Sequence, residues 1–193
     1  NMGAGLPVQA LLQGAVPFVV LGRAPAPGRP LTLSKGRTSG QRVTAAGGDL
    51  DRLCAVAPHA APGLYRLDWA ADNLDDAAAA LLARNAAGSR SSLQALRLPD
   101  NRIGDAGARA VAAAIAGAEG WESPLAVVSL QGNEVGDDGA LALAEAAASA
   151  PAMRWLDLRG NAISEEAQAL AHAAVARRSP LLPPLAVLLD APA

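Results

Sequence analysis

An eleven-residue pattern of leucines closed by an asparagine recurs along the second half of the chain. It has the form L-x-x-L-x-L-x-x-N-x-[I/V] and begins at Leu93, Leu125 and Met153. Self-similarity at a period of 20 to 50 residues is typical of solenoids, in which each repeat buries its apolar face against the next. Two weaker copies begin at Leu64 and Leu182, at a similar spacing. The pattern predicts a repeat domain over residues 64–193.

Each copy reads as a short strand followed by a turn. Positions one, four and six are apolar and point into the core, while the residues between them alternate outward as strand pleating requires. The asparagine at position nine can satisfy backbone groups of the turn with both ends of its amide. Successive copies therefore predict a buried polar ladder, with aspartate in the two flanking copies. The predicted ladder residues are Asp72, Asn101, Asn133, Asn161 and Asp190.

A helix is predicted after each turn. In the first full copy, Gly107, Val111 and Ile115 recur every four residues on one face. Asp105 is the predicted N-cap of this helix, and glycine at position 107 is expected to let the helix approach the sheet closely. Acidic residues recur at the starts of the following helices, where they also favour the positive end of the helix dipole. These are Asp137, Asp138, Glu165 and Glu166.

The repeated string resembles the ribonuclease-inhibitor-like leucine-rich-repeat family, which includes ribonuclease inhibitor, the NOD-like receptors and Ran GTPase-activating protein. The resemblance covers residues 64 to 190. It implies an α/β fold, a right-handed βα leucine-rich-repeat solenoid of about four repeats plus a closing strand. The strands of this short horseshoe arc would line a concave sheet, with the helices on the convex side. It also implies that a partner binds in the concavity.

Residues 1–63 fit the repeat poorly and are predicted to form an irregular N-terminal cap. Phe18–Leu21 and Leu31–Leu33 are short strand candidates that would pair as a hairpin, and Asp49–Ala57 is a helix candidate. The open end of a solenoid exposes apolar core side chains, which favours a capping role. The alternative is a remnant of further repeats or of a longer chain.

Charge and composition exclude several classes of partner. The net charge of −2 argues against a surface for nucleic acid or for anionic membranes, since both need a concentrated positive field. Ala15–Leu21 is too short for a transmembrane helix and contains Pro17. The single cysteine, Cys54, fits a reducing compartment. We therefore expect a cytosolic protein, with the cilium or cytoskeleton as a further location.

The sequence contains no recognisable catalytic or cofactor site. His59, His172 and Cys54 offer no metal-ligand spacing, and the glycine-rich stretches lack the spacing of a phosphate-binding loop. Capping explains the acidic residues at the helix starts without catalysis. We predict a protein that is not an enzyme and that binds no cofactor, metal or small-molecule substrate.

The predicted concave surface supplies the candidate binding residues, which are Arg66, Asp68, Arg97, Asp100, Gln131, Trp155, Asp157 and Arg159. Arginines and aspartates alternate across neighbouring strands, so part of this set is expected to pair internally. Trp155 is unexpected at a solvent-facing position unless a partner covers it, because Trp and Arg dominate binding hot spots. The alternative is that Trp155 packs flat on the neighbouring strand. Trp121, in the longest interval between copies, is expected to cover a helix end.

Three functions follow from these observations. The first is an adaptor or scaffold that presents its concave sheet to a partner protein. The second is a structural subunit of a large assembly, such as a ciliary or cytoskeletal complex. The third, which rests on the family resemblance alone, is a regulator of a small GTPase.

Overall fold

The computed structural model describes residues 31–35, 64–70, 73–86, 93–117 and 122–190. Six strands and four helices alternate along these ranges, and the strands form one sheet in the order β1 to β6. The strands are β1 Leu31–Lys35, β2 Leu64–Trp69, β3 Ala95–Arg97, β4 Val127–Ser129, β5 Trp155–Asp157 and β6 Ala186–Leu188. The helices are α1 Asp76–Ala86, α2 Asp105–Ala116, α3 Asp137–Ser149 and α4 Glu165–Ala176.

Every pair of neighbouring strands is parallel, and the register follows the repeat. Leu96 at position four aligns with Leu67 on one side and with Val128 on the other, and Val128 aligns with Leu156. These residues and the leucines at position six are buried in one core together with the inward faces of α1, α2 and α3. Val111 and Ile115 of α2 lie fully within it. The predicted α/β leucine-rich-repeat solenoid is confirmed.

Strand β1 adds residues outside the predicted repeats to the same sheet. It pairs in parallel with β2, with Leu33 opposite Leu67. Leu31–Leu33 is therefore a strand, as expected, but its described partner is β2 rather than an antiparallel hairpin strand. Phe18–Leu21 and Asp49–Ala57, the other elements of the predicted cap, lie outside the described residues, as do Asp72, Cys54, His59 and Trp121. The boundary at residue 63 and the capping role stay predictions.

The asparagine at position nine joins its own repeat to the preceding one. The side-chain nitrogen of Asn133 donates to the carbonyls of Leu130, in its own repeat, and of Leu98, in the preceding repeat, both at 2.9 Å. Its side-chain oxygen accepts from the backbone nitrogen of Ile103 at 3.1 Å. Asn101 and Asn161 make the equivalent bonds one repeat away on either side. Backbone groups of each turn are thus hydrogen-bonded by the asparagine of the same repeat and by that of the next repeat.

The last copy of the pattern lies in a different register from the one predicted. Val187 pairs with Leu156, so position four of this copy is Val187 and not Leu185. Asp190 therefore corresponds to Arg159 and not to Asn161. Its carboxylate accepts from the backbone nitrogen of Gly160 at 2.8 Å, where the earlier repeats use a backbone carbonyl. Asp190 therefore accepts the last of a series of bonds from backbone nitrogens of successive turns, and it does not continue the asparagine ladder. The sequence did not reveal this, because leucines and prolines fill both registers.

The aspartates at the helix starts cap the helix of the following repeat. The N-cap of α2 is Gly104, which makes no side-chain capping bond, so the predicted N-cap role of Asp105 is wrong. Oδ1 of Asp105 instead accepts from the backbone nitrogens of Gly136 and Gly139, at 2.8 and 3.0 Å, at the start of α3. Asp76 caps α2 in the same way. The negative charge lies against the positive end of the next helix dipole.

These capping bonds explain the glycines at the helix starts. A Cβ on Gly139 would lie 2.6 Å from Oδ1 of Asp105 and 2.9 Å from Cβ of Ala108. The glycine therefore makes room for the carboxylate of the preceding repeat, whereas the sequence predicts a close approach to the sheet. In α4 the position is Ala167, and its backbone nitrogen bonds to the Ser164 hydroxyl instead.

Arg178, which lies between α4 and β6, holds the end of the preceding helix. Its guanidinium donates to the carbonyls of Ala147, Ala148 and Ala150 at the C-terminus of α3 and to the carbonyl of Met153. Burial and the nearby charge of Arg154 lower the pKa of Arg178. Helix C-terminal carbonyls have no partner within the helix and carry partial negative charge, so a guanidinium stabilises them. No repeated motif marks this residue in the sequence.

Replacing Asn133 by alanine is expected to destabilise the protein by about 2 to 3 kcal/mol, because the amide of Ile103 and two buried carbonyls lose partners. Chemical denaturation measures the change. Gln131→Ala is the matched control, since this exposed side chain is expected to contribute less than about 0.5 kcal/mol. Equal unfolding midpoints for the two variants would contradict the proposed dependence on the ladder.

Replacing Gly139 by alanine is expected to destabilise the protein by about 1 to 3 kcal/mol, although alanine is the better helix former by about 1 kcal/mol. The reason is the overlap of the new Cβ with Asp105. The double variant Asp105→Ala/Gly139→Ala tests this contact, because its loss is expected to be smaller than the sum of the single losses. Additive free energies of unfolding would show that the carboxylate is not the cause.

Candidate functional site

The sheet face opposite the helices, which we call the open face, is formed by the residues that alternate with the core. Position three contributes one row across the strands, namely Arg66, Ala95, Val127, Trp155 and Ala186. Position five contributes a second row, namely Asp68, Arg97, Ser129, Asp157 and Leu188. Apart from Arg66, the first row is apolar, whereas the second is mainly polar. The open face therefore carries an apolar stripe beside a charged one.

Trp155 is the largest apolar side chain exposed on this face. Its side chain stands in the row between Val127 of β4 and Ala186 of β6. It is 40% exposed, whereas Trp69, at position six of β2, is completely buried. An exposure of this size leaves apolar surface for a partner, although the neighbouring strands cover part of the indole. Its role in binding stays a prediction.

The hydrogen-bonded charged pairs of the open face join residues two apart in the chain and not residues of neighbouring strands. Arg66 donates to Asp68, two residues along β2, at 2.7 Å. Arg159, in the turn after β5, donates to both carboxylate oxygens of Asp157, at 2.9 and 2.7 Å. The sequence predicts internal pairing, but across neighbouring strands. For Arg66 and Asp68 the cause is that residues two apart on one strand project from the same face.

Asp157 is the most enclosed carboxylate of the open face, with 5% of its surface exposed. Burial alone raises its pKa, but the hydrogen bonds from Arg159 and the charges of Arg159 and Arg97 outweigh burial, so the pKa lies below the ordinary value. Asp157 in turn raises the pKa of Arg159, first by hydrogen bonding and then by its charge. Asp157 therefore holds Arg159 in place, and Arg159 is the member of the pair that a partner can touch.

Arg97 lies at the centre of the open face without a carboxylate partner among the described residues. Its Nε is buried and makes no hydrogen bond, and Oδ1 of Asp68, which is aligned with Arg97 on β2, is in the same condition. The two nearby aspartates of the sheet, Asp68 and Asp157, are each held by an arginine of their own segment. Both atoms are buried, one an acceptor and one a donor on aligned residues, whereas Arg97 as a whole is partly exposed.

The remaining predicted residues lie where the strands end. Asp100 and Gln131 are exposed beyond the carboxyl ends of β3 and β4. Asp100 adopts a left-handed backbone with φ of 55°, at the position where the next two repeats have Gly132 and Gly160. These residues and Arg159 form the rim of the open face. Sequence reasoning missed Val127 and Ser129, because neither is charged or aromatic, although the alternation of the strand already placed them outward.

Other kinds of site are not evident in the part of the chain that the structure describes. Within it, no cluster of histidine, cysteine and acidic residues is arranged to hold a metal ion. None of its helices is both long and apolar enough to cross a membrane. A cleft of about 590 Å³ lies beside the C-termini of α3 and α4, and another of about 320 Å³ lies between α1 and α2. Both are on the helical side, away from the open face.

Replacing Asp157 by asparagine is expected to lower stability at neutral pH and to matter less in acid. The folded pKa of Asp157 lies below its ordinary value of 3.8, so its ionised form stabilises the fold above about pH 4 and loses this effect as pH falls through the folded pKa. Melting temperatures of both proteins from pH 6 to pH 2 measure this dependence. A constant difference across the range would contradict it.

A family model described as "Leucine Rich repeat" matches residues 90–112 and residues 124–144. The first segment contains β3 and residues 105–112 of α2, and the second contains β4 and residues 137–144 of α3. A search of curated proteins found no match. The matched repeats continue into a sheet with the same strand register and the same turn hydrogen bonds on both sides. The part of the chain that the structure describes is an α/β solenoid, and its repeats match leucine-rich repeats at these two positions.

Proposed function

We propose that this protein is a non-enzymatic interaction module of the ribonuclease-inhibitor-like kind, acting as an adaptor or scaffold. Its open face is the proposed binding surface, and another protein is the proposed partner. Leucine-rich repeats generally mediate protein–protein interaction, which is the general basis of the proposal. The described helix after each of the strands β2 to β5 and the asparagine at position nine of the three full copies support the subclass.

The exposure of Trp155 is the observation that carries this proposal. The indole is 40% exposed on the open face. Arg159 lies two residues after Asp157, the last residue of β5, and its guanidinium donates two hydrogen bonds to the Asp157 carboxylate. A partly covered tryptophan with a fixed arginine nearby is the composition of a binding hot spot. Arg159 is held by Asp157 before binding, which reduces the entropy cost of association.

The chemistry of this face favours a protein over the other partner classes. Carboxylates alternate with the guanidinium groups, so a phosphate backbone would meet repulsion as well as attraction. The clefts that described residues line, given above, lie on the helical side and not on the open face, whereas a small molecule binds in a concave pocket. We further propose a cytosolic location, on the basis of the single cysteine.

A structural role in a larger assembly is a second candidate. Leu170 on α4 is 50% exposed and Leu181, in the segment before β6, is 93% exposed. Both lie in the last repeat, away from the open face, and an assembly that covers this end would bury them. Regulation of a small GTPase has only the family resemblance as its basis.

Replacing Trp155 by alanine is expected to weaken partner binding by about 2 kcal/mol, which is the scale of a hot-spot residue. Thermal stability is expected to change little, since the side chain is only partly buried. The experiment is quantitative affinity capture from the source cells with the wild-type and variant proteins, read by mass spectrometry. Isothermal titration against the purified captured protein then gives the affinity.

Leu170→Ala is the matched control, because it removes an exposed apolar side chain from the helical side. We expect the control to capture the partner as well as the wild type does. The reverse result, with capture lost in Leu170→Ala and kept in Trp155→Ala, would reject the open face and favour the assembly role. Equal capture by all three proteins would reject both surfaces.

A further inference from the structure

The partner chemistry of the open face can be read from the pairing of its charges. Six charged residues stand at positions three, five and seven of the copies from β2 to β6, namely Arg66, Asp68, Arg97, Asp157, Arg159 and Asp190. Two arginines pair with two aspartates at 2.7 Å each. Arg97, between these two pairs, has no ion pair with a described residue. Asp190 lies beyond β6, where it bonds to the backbone of Gly160, and Asp100 lies beyond the end of β3.

The surroundings of Arg97 favour an external hydrogen-bond acceptor. No described residue accepts a bond from its guanidinium, and the residue is partly exposed, so an external acceptor can reach the part of the guanidinium that faces solvent. A carboxylate is the acceptor that matches a guanidinium best, because it takes two parallel charge-assisted bonds. The neighbouring carboxylates are bonded to other arginines, Asp68 through Oδ2 to Arg66 and Asp157 through both oxygens to Arg159.

The row at position three, beside the charged row, favours an apolar side chain in the partner. Trp155 and the partly exposed Val127 form an apolar patch beside the charged row. Trp155 lies two strands from Arg97, which is about 10 Å at the usual spacing between strands. In an extended peptide this distance separates residues i and i+3, and in a helix it separates residues i and i+7.

We propose that the open face binds an acidic peptide segment that places an apolar side chain over Trp155 and Val127 and a carboxylate on Arg97. This proposal rests on the proposed function and specifies the partner of the same surface. An anionic single-stranded nucleic acid is disfavoured because its regularly spaced phosphates would also meet Asp68, Asp157 and Asp100.

Synthetic labelled peptides test the proposal directly. One 14-residue peptide carries phenylalanine and glutamate at i and i+3, a second carries them at i and i+7, and each has matched versions with glutamine or lysine in place of glutamate. Affinities for the full chain are measured by fluorescence anisotropy at low and high salt. We expect at least one glutamate peptide to bind about tenfold more tightly than its glutamine version, which corresponds to one charge-assisted bond.

Variants of the protein identify the arginine responsible. In Arg97→Gln, the glutamate and glutamine peptides are expected to bind equally. Arg102→Gln, which removes the same charge from an exposed residue outside the sheet, is expected to keep the tenfold difference. Only a contact between Arg97 and the carboxylate gives this combination, since a purely structural effect of Arg97 would weaken both peptides alike.

Several results would overturn the proposal. These are equal binding of the glutamate, glutamine and lysine peptides, a preserved difference in Arg97→Gln, tighter binding of a deoxythymidine oligonucleotide, and no binding of any peptide at millimolar concentration. The proposed function is judged separately by the Trp155-dependent capture of a cellular protein. Capture without preference for the glutamate peptides would reject the acidic partner and retain the open face as the interaction surface.

Discussion

The solenoid depends on a hydrogen-bond exchange between neighbouring repeats. A turn of this shape leaves backbone groups buried that the turn itself cannot pair, and leaving them unpaired is costly. Asn133 supplies two donors and one acceptor to these groups, and part of that set belongs to the preceding repeat. A single repeat is therefore incomplete in its polar groups as well as in its apolar core. Stacking satisfies both requirements at once, which links the stability of each repeat to its neighbour.

The same rule governs the helical side. The aspartate that opens one helix binds the backbone amides that open the next, and the glycine of the next helix leaves space for it. Two sets of bonds, one in the turns and one at the helix starts, therefore fix the stacking distance on both sides of the core. The side chains at positions three and five of the strands take no part in either set. They are free to vary, and the proposed binding chemistry is located there.

The sequence predicted the repeated architecture because its signals are local and periodic. Leucines at positions one, four and six and asparagine at position nine give strand, turn and core directly. Contacts between repeats were harder to predict. Aspartate is a typical N-cap residue, yet Asp105 caps the next helix. The backbone nitrogen that donates to its carboxylate lies 31 residues away in the sequence, so a local pattern does not reveal the contact. The register of β6 failed for a different reason, since its leucines and prolines satisfy two alignments equally.

For the candidate binding residues, the sequence predicts the location but not the pairing of the charges. Alternation along a strand places Trp155, Arg97 and Asp157 on one face, and this needs only the pleat of the strand. The alternation does not predict which charged residues form ion pairs, because ion pairing depends on the length and conformation of each side chain. Arg159 bonds to Asp157 from two residues away, and Arg97 is left without an ion pair among the described residues. The specificity of the surface therefore comes from pairing geometry, whereas its location comes from the repeat.

The third helix junction shows that the capping constraint, and not glycine itself, is what the fold maintains. Here Ser164 and Ala167 stand in place of Gly136 and Gly139 of the preceding junction. The serine hydroxyl caps its own helix by accepting from Ala167 at 3.2 Å and donates to Asp137 at 2.8 Å. Asp137 also accepts from the backbone of Ser164 at 2.7 Å, and these bonds lower its pKa. The aspartate has given up one amide, so the methyl group of alanine is accommodated. Two different residue pairs thus satisfy the same helix amides.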